Sequence, residues 1–147
     1  MNRRKILQLG VAFGSAGLAG CTQYFPANQV RIGEAAVGNR DSERGHTIRV
    51  VVEFNGEVAY DEVHEFEKMR NNVAPAVDFT DDLPKEPGEF LIKAYLDGSA
   101  QPEVMDVSAV APSDCTFVSI IAESTNRVSL MYSGDCNGQI RERMRVD

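Results

Sequence analysis

Long apolar runs are missing from this chain, and so is any helical period of useful length. The longest apolar stretch, Ile6 to Leu18, is interrupted by Gln8, Gly10, Gly14, Ser15 and Gly17, which leaves it short of the ~20 residues that a membrane-spanning helix needs. Histidine is scarce, with His46 and His64 the only two. A Ser-His-Asp arrangement needs a histidine held by a carboxylate, and neither histidine stands in a nucleophile-elbow context, so the sequence offers no catalytic residues. There is no phosphate-cradling glycine-rich loop, no Cys-x-x-Cys and no calcium loop with alternating Asp or Asn. A blue-copper site requires two histidines and a cysteine, usually with a weak methionine, and here no histidine follows Cys115 or Cys136; Met144 reads as structural. An electron carrier and an enzyme are therefore the weaker readings, and no cofactor is assigned.

What the first 21 residues do contain is an export signal. Arg3-Arg4-Lys5 supplies a basic start, the broken apolar run follows, and Leu18-Ala19-Gly20-Cys21 closes it with small residues before a cysteine. That last tetrapeptide reads as a lipobox, with Cys21 the lipidated first residue of the mature protein. A plain thiol near a terminus is the competing reading. Two acyl chains at ~0.8 kcal/mol per buried CH₂ make a stable anchor where one is marginal. Arg3-Arg4-Lys5-Ile6-Leu7 resembles the twin-arginine export signature, which implies export in the folded state; an ordinary secretory signal with a basic start is the alternative. The expected organisation is a signal peptide over 1–20, a tether over 21–29 and one domain over 30–147, on the extracytoplasmic face of the membrane.

Lysine is the other scarce residue: after processing only Lys68, Lys85 and Lys93 remain. The whole chain carries 15 basic and 22 acidic residues, and losing Arg3, Arg4 and Lys5 leaves 12 against 22, a net charge of −10. That balance argues against nucleic acid or anionic headgroups as partners. The membrane is reached through the lipid on Cys21, and a protein or cell-surface partner stays unidentified. A monomer is expected.

From Val30 onward short runs rich in Val, Ile and aromatics recur between turn signals, the spacing of an all-β sandwich. Val30 to Val37 is a first strand and the polar stretch Gly38 to Gly45 a loop. In His46 to Phe54, Ile48, Val50 and Val52 alternate with Thr47, Arg49 and Glu53, as in a half-buried strand. Asn55-Gly56 turns the chain into Val58 to Phe66. A two-residue loop would set Glu53 opposite Val58, whereas a three-residue loop Phe54-Asn55-Gly56 pairs Val52 with Val58, Val50 with Tyr60 and Arg49 with Asp61, keeping both faces consistent. This second register is the expected one, and it places His46 opposite His64. Two such imidazoles could hold a divalent transition metal, but zinc wants three or four protein ligands and neither Glu62 nor Glu65 is securely placed, so no metal is assigned.

Val73 to Phe79 is a strand that Pro75 confines to an edge, and Asp81 to Gly88 is a loop. Glu89 to Leu96 sets Phe90, Ile92 and Ala94 against Leu91, Lys93 and Tyr95, and Asp97-Gly98 turns it into a strand over Glu103 to Val110. The chain closes with a hairpin, Cys115 to Glu123 and Val128 to Cys136, and a tail strand Gln139 to Val146 whose Arg141, Arg143 and Arg145 share a face. That stripe is a contact for an anionic partner or, more plainly, a face neutralised by neighbouring carboxylates.

With Cys21 consumed by lipid, Cys115 and Cys136 form an even pair in an oxidising exterior. A two-residue turn at Thr125-Asn126 sets them directly opposite at a non-hydrogen-bonded position, where Cα atoms approach to ~4.5 Å and a disulfide fits. Two buried thiols or a metal pair are the alternatives.

His46-Thr47-Ile48-Arg49-Val50-Val51-Val52, the Asn55-Gly56-Glu57-Val58 turn and Tyr60-Asp61 resemble the paired strands of small haloarchaeal immunoglobulin-like lipoproteins. Pro87-Gly88-Glu89-Phe90 running into Asp97-Gly98, and the pairs Asp114-Cys115 and Asp135-Cys136, are similar too. An acidic, lysine-poor composition fits the same group, although it suits any acidic soluble domain. The resemblance implies an antiparallel immunoglobulin-like β-sandwich after the signal and lipobox segment. It carries no site residues. The expected function is a lipid-anchored binding or interaction module, with a purely structural surface protein as the alternative.

Overall fold

The computed structural model describes residues 29–111, 113–134 and 136; the signal segment with Arg3, Arg4 and Cys21, the tether up to Asn28, and the expected tail strand Gln139 to Val146 lie outside them. The described residues form eight strands: β1 (Arg31–Asn39), β2 (His46–Phe54), β3 (Glu57–Phe66), β4 (Ala76–Asp78), β5 (Phe90–Leu96), β6 (Glu103–Asp106), β7 (Cys115–Glu123) and β8 (Arg127–Ser133). They make two four-stranded sheets, ordered β4-β1-β7-β8 and β3-β2-β5-β6. The protein is all-β, with the core between the sheets.

Alternation decides which side chains enter that core. Ile48, Val50 and Val52 of β2 and Phe90, Ile92 and Ala94 of β5 face Ile32, Ala35 and Val37 of β1 and Val118, Ile120 and Ala122 of β7, all buried in one cluster. Full burial of a Val, Ile or Phe side chain stabilises by about 1.5–3 kcal/mol relative to exposure. Phe79 and Leu83, flanking a 3₁₀ turn at Thr80–Asp82, close the core beside β4. On the outer face of the second sheet, charge pairs replace the apolar set: Arg49 grips Asp61 with two bonds of 2.8 and 2.7 Å and lies 5.4 Å from the Tyr95 ring, and Lys93 meets Glu53 at 2.8 Å.

Four expectations of local structure are corrected. The sandwich is not wholly antiparallel, because β1 and β7 pair in parallel with five strands intervening; parallel neighbours need such a long crossover. A register irregularity between Ile32 and Glu34 falls on Gly33 and lets Ile32 and Ala35, of opposite parity, both face inward.

The β2–β3 turn is the two-residue one. Asn55 and Gly56 both take positive φ, 52° and 86°, as that short turn demands. Glu53 does pair with Val58, and an extra residue at Ala59 then shifts the ladder so that Val52 meets Tyr60 and Arg49 meets Val63. The bulge repairs the faces that the loop length was expected to repair, and Arg49 reaches Asp61 on the diagonal.

The β7–β8 loop is one residue longer than expected: Glu123 pairs with Arg127 around Ser124 to Asn126, and Asn126 takes φ 59°. Its side-chain oxygen accepts a hydrogen bond from the Arg44 guanidinium, which anchors the loop. Finally, the strand expected over Glu103 to Val110 stops at Asp106. The Asp106 carboxylate caps the Ala109 N–H, and a single helical turn, α1 (Val107–Val110), follows.

Gly88 is buried where Val30 and Gly88 exchange backbone bonds, and a Cβ there would run into the Phe54 ring, which itself packs 4.9 Å from Phe90. Gly88→Ala is expected to cost about 2 kcal/mol through overpacking. Urea unfolding reads it; an unchanged midpoint would mean that Phe54 yields freely.

Candidate functional site

Two constellations organise polar chemistry on this frame, one at an end of the sandwich and one along its open side. The end cluster begins with Asn39, the last residue of β1, whose amide is wholly buried and donates to the carbonyls of Arg44 and Glu67 while its oxygen accepts from the Asp41 N–H. This folds residues 40–45 inward. Asp41, buried with them, accepts the N–H groups of Glu43 and Arg44 and hydrogen-bonds His46 Nε2 at 2.8 Å. Asp97, in the β5–β6 turn at φ 50°, binds His46 Nδ1 at 2.7 Å and accepts the Thr47 N–H at 2.9 Å.

An imidazole with a carboxylate on each nitrogen is held as the cation. Burial opposes that charge, but the hydrogen bonds to Asp41 and Asp97 outweigh it and raise the His46 pKa above 6.5. The His46 contact, helped by the Glu43 N–H, lowers that of Asp41; at Asp97 burial works upward and is overcome by the Thr47 N–H and His46. With both nitrogens engaged, His46 has no lone pair for a metal and no position for general base work. The cluster ties the β1–β2 loop to the β5–β6 turn.

The second constellation lies where β3 and β4, each at a sheet edge, leave a groove of about 450 Å³ lined by residues 59–62 and His64 of β3, Val77 of β4 and Asp82. Its floor is aromatic. Tyr60 stacks on Phe79 at 4.7 Å, and His64 lies over Phe66 at 6.0 Å. The Tyr60 hydroxyl and His64 Nε2 share a 2.9 Å hydrogen bond. Burial lowers the His64 pKa, against the pull of Glu62, so this imidazole is neutral at pH 7; burial and the negative charges of Asp82 and Glu62 raise that of Tyr60. Among the described residues, neither Glu62 nor Asp82 has a cation within ion-pair distance. The groove is a neutral aromatic floor between carboxylates that no cation pairs with among the described residues, an arrangement suited to a cationic group.

His46 and His64 do not face one another. His46 pairs with Phe66 and His64 with Ile48, and the rings belong to different constellations. No group of three or more His, Cys, Asp or Glu stands at metal-binding spacing among the described residues. Cys115 and Cys136 are joined as a disulfide, with Cα atoms 5.4 Å apart. Sequence reasoning missed Asp41, Asp97, Asn39 and Tyr60. The turn signal Asp97-Gly98 was the one available pointer, since a side chain in such a turn commonly bonds nearby backbone.

No family model matches the chain, and no curated protein matches it. A solved structure titled "Trapped Toxin" aligns with 69% of this chain at 12% identity and a TM-score of 0.28; the chain spans 23% of that protein's length.

Proposed function

We propose that the chain is an exported lipoprotein, held on the outer face of the cell membrane through Cys21, whose immunoglobulin-like domain is a binding module of the haloarchaeal lipoprotein type. The groove between β3 and β4 carries this reading. A spacer has no use for an aromatic cleft at the side of its sandwich in which Glu62 and Asp82 are without a cation among the described residues, and a binding surface does. Further support comes from exposed apolar residues on the same strand, Val58 and Val63, and from a disulfide suited to an oxidising exterior. His46, with a carboxylate on each ring nitrogen, has no lone pair to offer a copper centre.

The anchor and the binding role are tested separately. Cys21→Ser is expected to leave the domain folded while moving it from the membrane to the soluble fraction, or to leave it unprocessed. Recovery in the membrane with the signal removed would count against the lipid. For the binding role, photoreactive side chains placed singly at positions 63, 99 and 127 are irradiated in native membranes; a discrete crosslinked partner from at least one position is expected. No adduct from any position would favour a structural spacer.

A further inference from the structure

We propose that the outer edge of β3, together with the groove beneath it, is the docking site for an extended cationic segment of a partner protein, which joins the sheet as a fifth strand. The inference rests on the reading of the domain as a binding module. β3 is ten residues long and ends its sheet, whereas β6, the opposite edge, has only four. Every second residue of β3 turns its N–H and C=O away from β2, and among the described residues no strand pairs with that side.

The bulge at Ala59 sets what an added strand would meet. Because the ladder shifts there, Tyr60, Glu62 and His64 turn toward the groove, with Phe66 buried in the core on the same face, while Val58, Asp61, Val63 and Glu65 turn to the outer face. Val58 and Val63 are 61% and 57% exposed. A strand laid along β3 therefore has one face over Glu62 and Asp82 and the other beside these two valines. The matching segment alternates Lys or Arg with apolar residues.

Carboxylates along an edge discourage it from pairing with another acidic edge, and the same charges attract a basic strand. The edge strands of the same sheet in a second copy are themselves acidic, β3 with Glu57, Asp61, Glu62 and Glu65 and β6 with Glu103 and Asp106, so edge pairing between two copies sets like charge against like charge. A cationic segment of a different protein is the occupant that charge complementarity selects. It reads backbone through the edge and charge through the groove, the two-part recognition of strand addition.

The test uses the purified full-length chain in detergent and a fluorescent nonapeptide alternating arginine with valine. Binding by anisotropy is expected, at least tenfold weaker for Glu62→Lys/Asp82→Lys and absent for a peptide with glutamate in place of arginine. Two further peptides are N-methylated on one parity of residues or on the other. Only the set whose N–H groups face β3 should lose binding, at least tenfold. Equal binding of the two methylated peptides, or of the glutamate peptide, would overturn strand addition. So would a dimer in sedimentation that Glu62→Lys/Asp82→Lys dissolves, because a second copy would then hold the edge. If the peptide fails, the β3 site for a cationic strand falls; the binding module stands where a photoreactive group at position 63, 99 or 127 captures a partner, and falls with it where none does.

Discussion

His46→Ala is expected to lose roughly 3–5 kcal/mol of stability, because removing one member of a buried ion pair strands the charge of the other. Here the stranded charge is that of Asp41, while Asp97, 46% exposed, keeps contact with water. Asp41, buried at the end of the sandwich, keeps only the N–H groups of Glu43 and Arg44 and a 3.9 Å approach of the Arg44 guanidinium, and Asp97 keeps the Thr47 N–H. The pH dependence separates this from the loss of a filler side chain. His46 has a raised pKa, so its contribution is complete below the ordinary value of 6.5 and drains away as pH rises through the raised one. Asp41 and Asp97 have lowered pKa values, so theirs is complete above the ordinary 3.8 and lost as pH falls through the lowered ones. Chemical unfolding should therefore show the largest gap between wild type and variant between about pH 4 and 6.5, narrowing at alkaline pH. A gap constant from pH 5 to pH 10 would mean that His46 contributes packing and not charge.

This cluster also marks where sequence reasoning stops. His46 and Asp97 are 51 positions apart, and they meet only because β2 and β5 are neighbours in antiparallel register, with Ile48 opposite Leu96. Alternation made the strands themselves legible: Ile48, Val50 and Val52, and Phe90, Ile92 and Ala94, were assigned inward from their spacing, and all are buried. Registers were less legible, since one extra residue flips every side chain beyond it. Ala59 does this in β3 and the irregularity at Gly33 in β1, and hydrophobic pattern alone cannot distinguish a bulge from a longer loop. Asn55-Gly56 was the stronger signal. Its preference for positive φ favours the two-residue turn whatever the faces demand.

The groove was invisible for a different reason. Tyr60, Glu62 and His64 alternate along β3 as any half-buried strand would, and what makes them a cleft is that β3 and β4 are both edges. Edge position is a property of strand order, which depends on how β1 crosses to β7. The parallel pairing of those strands follows from the whole path of the chain between them, and no local pattern in Arg31–Asn39 announces it.

Cys115→Ala/Cys136→Ala is expected to lose about 3 kcal/mol, the chain-entropy value for releasing a loop whose ends are 21 residues apart. Counting cysteines found this pair, but the register offered for it was wrong. Phe117 pairs with Ser133, so β8 ends before Cys136, and the bridge is made by a residue beyond the strand and not by a directly opposed pair. Gly33 shows where it sits. A Cβ on Gly33 would overlap Cys136 Sγ and come within 3.3 Å of Cys115 Sγ, so the disulfide lies against β1 at its irregular residue. It thereby fastens the chain after β8 across the start of the β1–β7 pairing, whose parallel ladder begins at Arg31 and Cys115. Dithiothreitol should lower the unfolding midpoint of the wild type to that of the double variant and leave the variant unmoved. Gly33→Val should also destabilise the oxidised protein, by displacing the bridge, more than it destabilises the double variant. Equal midpoints with and without reductant would mean that the bridge adds nothing to the domain's stability.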